Sequence, residues 1–227
     1  MLFIECRLKR KDELLMIRVM ARAQLKEDDE TAILYLQTGG EAARLIREKR
    51  LMTAAAYKWN RNVFLYYECM EEELSPEELL PGAADGLSDW PGEERPRKWI
   101  SLIDVFHFNA PKDAGHWRRK SPVERQVGRV ARLKPEMAAS YVYYHYQLQE
   151  EQAFHGPKYE IIGIHENLLF GYQEFPAVVE EPVLPGKLST SGTPKEWEDS
   201  RMDLHFQPWP DGHLFFKPIE TLFAVQL

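Results

Sequence analysis

The run SYVYYHYQLQEE, from Ser140 to Glu151, sets four tyrosines around His145. Tyr141 and His145 are four residues apart, so in a helix they are neighbours on one face. An imidazole in that position has two uses. A group that titrates near neutrality can take a proton from a bound molecule and return it. A histidine can equally serve as aromatic core, bonded to a carbonyl or a phenol. The residues alone leave both open. His155, His165, His205 and His213 are scattered over turn and loop contexts, and no HxH or HxxxH pair puts two ligands on one element. No metal is expected. Nor does the chain contain GxSxG, a Walker-type loop or GxGxxG, so hydrolase, kinase and dinucleotide chemistry lack their usual motifs and no cofactor is expected.

The element that must carry His145 begins after Lys134. Pro135 suits a first helical turn, Glu136 complements the positive end of the helix dipole, and Met137, Tyr141, Tyr144, His145 and Leu148 then share one side. Aligning Leu25-Lys26 on Leu133-Lys134 gives strand, polar break and helix twice. Two hairpins come next in the same order, TAAAYKWNRNVFLYYECM around Asn62 and KYEIIGIHENLLFGYQEF around Asn167. After them stand LSPEELL and GTPKEWEDSRMDL, whose Ser75 and Thr193 are expected N-caps with Pro76 and Pro194 at the first helical position. WISLIDVFHFN and PIETLFAVQL end the two halves as strands. The expected fold class is α+β, two ferredoxin-like β-α-β-β-α-β halves in tandem, 1–110 and 121–227, whose sheets cover each other as a barrel-like pseudo-dimer. The polar, Pro- and Gly-broken NAPKDAGHWRRKSPVER joins them. LFIECRLKR reads as an extra N-terminal strand without a counterpart in the second half.

Composition limits the partners. The 227 residues carry 29 Lys+Arg against 36 Asp+Glu, a net charge of -7, and no long basic block, so nucleic acid is not expected. HWRRK, His116 to Lys120, is the nearest candidate and reads as linker or surface. No run approaches the ~20 apolar residues of a membrane span, and the N-terminus lacks a signal-like apolar region, which points to a cytoplasmic protein without membrane contact. Cys6 and Cys69 form no CxxC and read as reduced core thiols.

With those elements placed, the second half resembles the L-rhamnose mutarotase family. The likeness lies in RLKPEM, Tyr141-x-x-x-His145, Tyr159 opening YEIIGIHENLLFGYQEF, Trp197 and IETLF, and covers about Val127 to Leu227. The resemblance implies a single-domain fold pairing through its sheets, a small sugar as partner, and anomer exchange by acid/base catalysis without cofactor. It implies His145 as the proton donor and acceptor, Tyr141 and Tyr159 on sugar hydroxyls, Trp197 as a flat apolar face, and Glu151 orienting a hydroxyl or base. Continuing the alignment places Ile33 opposite Tyr141 and Gln37 opposite His145, so one site is expected, in a monomer or a homodimer. Gln149 stands where the family has Trp, and Glu196-Trp197 replaces a Trp pair. Two alternatives therefore stand beside the enzyme: a non-catalytic carbohydrate-binding or scaffold protein, and an α+β-barrel monooxygenase or haem-handling protein.

Overall fold

The computed structural model describes residues 16–27, 30–92 and 95–227. The expected strand LFIECRLKR and Cys6 lie outside them. Two hairpins with alternating side chains organise the fold. β1 (Met16–Gln24) leads through α1 (Glu30–Gln37) and α2 (Ala42–Arg47) to the hairpin β2 (Leu51–Trp59) and β3 (Asn62–Met70), then to α3 (Pro76–Leu79) and the short β4 (Ile100–Ser101). β5 (Ile103–His107) and α4 (Ala114–Trp117) precede β6 (Arg125–Arg132), α5 (Ala138–Glu151), the hairpin β7 (Ile161–His165) and β8 (Leu168–Phe175), and finally β9 (Lys217–Pro218) and β10 (Glu220–Gln226). Both hairpins close on two-residue turns whose first residue, Asn60 or Glu166, has positive φ.

The strands form two five-stranded antiparallel sheets, ordered β10-β2-β3-β1-β4 and β5-β7-β8-β6-β9. Two runs of chain change sheets. Ile100–Ser101 pairs with β1, and two residues later Ile103–His107 pairs with β7 in the other sheet. Likewise Lys217–Pro218 pairs with β6 and Glu220–Gln226 with β2. Each of these two runs of chain therefore links the edge of one sheet to the edge of the other.

Period-two alternation then sorts side chains into layers. Phe64 and Tyr66 of β3 meet Phe170 and Tyr172 of β8 in the core between the sheets. Leu65, Tyr67 and Cys69 turn outward to a core shared with α1 and α2, while Leu169, Ile162 and Ile164 pack with Tyr141 and Leu148 of α5. The Cys69 thiol is free, and burial pushes it up to about 11, so it stays protonated. Ser75 caps α3 with a full capping box to Glu78, as its spacing predicts.

The helix expected from Thr193 does not form. Two short 3-10 turns, Trp197–Ser200 and Met202–Leu204, stand in its place. Thr193 gives both its backbone N–H (2.8 Å) and its hydroxyl (2.5 Å) to Glu151, so its side chain is committed to tertiary bonding rather than to a cap.

Candidate functional site

The inter-sheet core is built in three rungs. Phe64 stacks on Phe170 at 4.9 Å and 8°, and Tyr66 on Tyr172 at 3.9 Å and 24°. The third rung is Glu68 and Glu174, at the same spacing along β3 and β8. The motif F-x-Y-x-E thus occurs twice, as FLYYE and FGYQE. Each tyrosine hydroxyl donates at 2.6 Å to the glutamate of its own strand. The carboxylates are 0% and 2% exposed, and such burial demands a counter-charge.

That charge comes from the segment between β5 and β6. Asp113 caps α4 by accepting the His116 N–H at 2.7 Å, and the single turn ends in Trp117 with Arg119 two residues on. Trp117 donates its indole N–H to Glu68 at 2.8 Å. Arg119 uses Nε (3.0 Å) and Nη2 (2.5 Å) on Glu174, and Nη2 (2.9 Å) with Nη1 on Glu68. Both edges of the guanidinium are thereby filled by carboxylates in fork geometry. Its face lies 4.1 Å from the Tyr159 ring centroid.

Beside this cluster opens a cavity of about 370 Å³. Arg119, Tyr159 and Glu174 form its inner wall, and Pro122, Val123, Pro176 and Val178 supply apolar sides. Lys158 and Glu180 complete it. Lys158 is 1% exposed, ion-paired with Glu180, and donates to the His116 carbonyl at 2.8 Å. Tyr159 is buried, which raises its phenol to about 12, and among the described residues its hydroxyl reaches only the Arg118 carbonyl, at 3.4 Å.

The expected site residues divide between this cavity and the opposite face of the second sheet. Tyr141, His145 and Trp197 do come together: His145 stacks on Tyr141 at 3.9 Å, with the Trp197 ring edge-on at 5.4 Å and Phe106 at 5.3 Å. None of them lines any of three cavities, of about 370, 210 and 140 Å³. The His145 Nδ1 lies 2.9 Å from the Tyr141 carbonyl, which can only accept, so Nδ1 carries the proton. Burial holds this imidazole down at about 4. It is packed as aromatic core and is neutral at pH 7. Tyr159 belongs to the other group, with Trp117 and Arg119, facing the cavity.

Glu151 is likewise committed elsewhere. It accepts from Thr190 (2.5 Å), Gly192 (2.8 Å) and Thr193, and those bonds hold its carboxyl down at about 2. Its neighbour Glu150 accepts from the Lys187 backbone N–H at 3.0 Å. The two glutamates anchor the chain between 176 and 196, which has no helix or strand of its own and supplies Pro176, Val178 and Glu180 to the cavity wall.

Arg119 and Lys158 are the residues that sequence reasoning passed over. The one sat in HWRRK, read as surface, and the other immediately precedes Tyr159. The signal was the pair of glutamates on the inner face of two aromatic strands, since buried carboxylates need a cation from somewhere. Among the described residues, no group of three or more His, Cys, Asp or Glu is placed to hold a metal ion. Nor is any helix among them long and apolar enough to cross a membrane.

No protein-family model matches the chain, and no curated protein matches it. Solved structures similar to it include a candidate monooxygenase of Fusobacterium nucleatum, at 9% identity and a TM-score of 0.43, covering 93% of this chain and 94% of that one. A candidate monooxygenase of Lactobacillus acidophilus gives 9% identity and 0.41 over 93% and 96%. An anthrone oxidase-like protein gives 8% and 0.38 over 95% and 94%. Where the sequence led to the expectation of a sugar mutarotase, an isomerase, the similar structures carry monooxygenase and oxidase names instead.

Proposed function

We propose that the chain is a small-molecule-binding α+β protein whose ligand seats in the cavity beside Tyr159, Arg119 and Lys158. The observation that carries this reading is the cavity itself: about 370 Å³, within the range of ligand sites, walled by apolar side chains with a few buried polar groups at one end. Polar capacity left in that wall favours donors. Arg119 and its two glutamates satisfy one another, whereas Lys158 has three N–H groups, of which two are used among the described residues. The Tyr159 hydroxyl has only one long bond. Tyr159, Pro122 and Pro176 offer flat faces. The ligand class that fits is a planar, mostly apolar molecule bearing a carbonyl or carboxylate oxygen.

The duplicated F-x-Y-x-E motif supports reading the chain as two ferredoxin-like halves, each keeping the order of a split βαβ unit and exchanging its terminal strand with the other. Matching registers support it as well: β1 against β3 and β6 against β8 run fully antiparallel, and the residue after each first strand, Leu25 or Leu133, bridges to a segment beyond the hairpin, at Leu87 or Phe206. In this reading the ligand cavity lies at one end of the interface, where the linker enters.

Calorimetric titration with 2-naphthoate tests the proposal. The expected dissociation constant is on the order of 1 mM or tighter, and Val178→Trp, which fills the cavity from its rim, abolishes the heat while leaving the circular dichroism unchanged. Binding that survives this substitution would refute the placement. Dioxygen uptake recorded with an anthrone in place of naphthoate separates binding from oxidative turnover.

A further inference from the structure

A lysine buried to 1% exposure is rare, and this one stands in the wall of a ligand-sized cavity. Its Nζ lies 5.3 Å from the Tyr159 ring centroid and 5.5 Å from that of Trp117, and is paired with Glu180, another wall residue. A structural lysine in a core would be expected to have its charge closed in by partners on every side. Here the partners of Nζ among the described residues are the His116 carbonyl, Glu180 and the Trp117 and Tyr159 rings, and the residue also lines an open cavity. Desolvated lysines beside aromatic rings are the amines that form Schiff bases with carbonyl compounds.

We infer that Lys158 is an amine nucleophile for a carbonyl-bearing ligand of this cavity, an aromatic aldehyde or ketone, with Glu180 as its proton partner. The inference rests on the cavity being a ligand site. The Glu180 carboxyl, held below its usual range by Lys158, takes one proton from the ammonium only transiently, and the freed amine attacks the carbonyl carbon. The C–N bond forms as the C=O π bond opens, and the added nitrogen passes one proton to the alkoxide oxygen to give a neutral carbinolamine. Glu180 then returns its proton to the departing hydroxyl. Water leaves and a protonated imine remains, so ammonium plus carbonyl becomes iminium plus water with charge conserved. Tyr159 and the two prolines hold the aromatic body, and no oxidant or metal is required.

The experiment uses the full-length protein with limiting 2-naphthaldehyde and sodium cyanoborohydride, followed by proteolysis and mass spectrometry. A naphthylmethyl group is expected on Lys158 ahead of every exposed lysine, and excess 2-naphthoate should suppress it. Glu180→Gln should slow labelling on the order of 100-fold, the size of a lost general acid/base, and Lys158→Arg should abolish it while the fold persists. Label spread over exposed lysines with Lys158 untouched, in a protein that still binds naphthoate, overturns this inference and leaves the ligand site standing. Absence of both label and naphthoate binding overturns the two together.

Discussion

Burial keeps the His145 imidazole neutral down to about pH 4, whereas an unfolded chain protonates it near 6.5. Between these values the unfolded state binds more protons, so stability rises with pH. The contribution is fully present above the unfolded value and is lost as pH falls toward 4; burial of His107 acts in the same direction. The expected loss from His145 is about 3 kcal/mol. In urea titrations His145→Phe should flatten this acid limb, and an unchanged limb would show that the ring is not the group responsible. At Arg119 burial also disfavours the charge, but the Glu68 and Glu174 carboxylates outweigh it and hold the guanidinium charged. Arg119→Met leaves two carboxylates unpaired and should cost about 3–5 kcal/mol. Adding Glu68→Gln and Glu174→Gln should recover much of that, read from urea midpoints. The Tyr141 and His145 pair was legible because helical spacing alone makes them neighbours. Arg119 was not, since nothing local in HWRRK distinguishes a guanidinium that turns inward from one left in water.

At the scale of elements, α3, α5 and both hairpins were legible from caps, spacing and turns, each being a local signal. The expected helix at Thr193 was not, because Glu151, more than a helix length away in sequence, competes for the same N–H and hydroxyl. Glu151→Ala should therefore raise proteolytic cleavage and amide exchange between 187 and 195 with little change in the midpoint of global unfolding. Equal protection in the variant would remove Glu151 as the anchor. A tighter constraint sits in β6. A Cβ at Gly128 would collide with the Tyr57 ring, which crosses from the facing sheet. Gly128→Ala should cost about 1–3 kcal/mol by overpacking, measurable as a lowered urea midpoint at unchanged slope.

For the whole molecule, repetition in the sequence announced two similar sets of elements, but not the sheet change of their terminal strands. That exchange depends on two-residue offsets, Ile100–Ser101 to Ile103 and Lys217–Pro218 to Glu220, which no periodicity marks. It brings Glu68 and Glu174 from different sheets to one arginine and leaves the cavity at that end. It also puts the α5 stripe on the outer face of its sheet, which is why the aromatic run that drew attention first is core. The most direct measurement is a calorimetric titration of 2-naphthoate into the wild-type protein, Val178→Trp and His145→Gln, side by side. Wild type and His145→Gln are predicted to bind alike and Val178→Trp not at all. Loss of binding in His145→Gln, with Val178→Trp unaffected, would contradict the account.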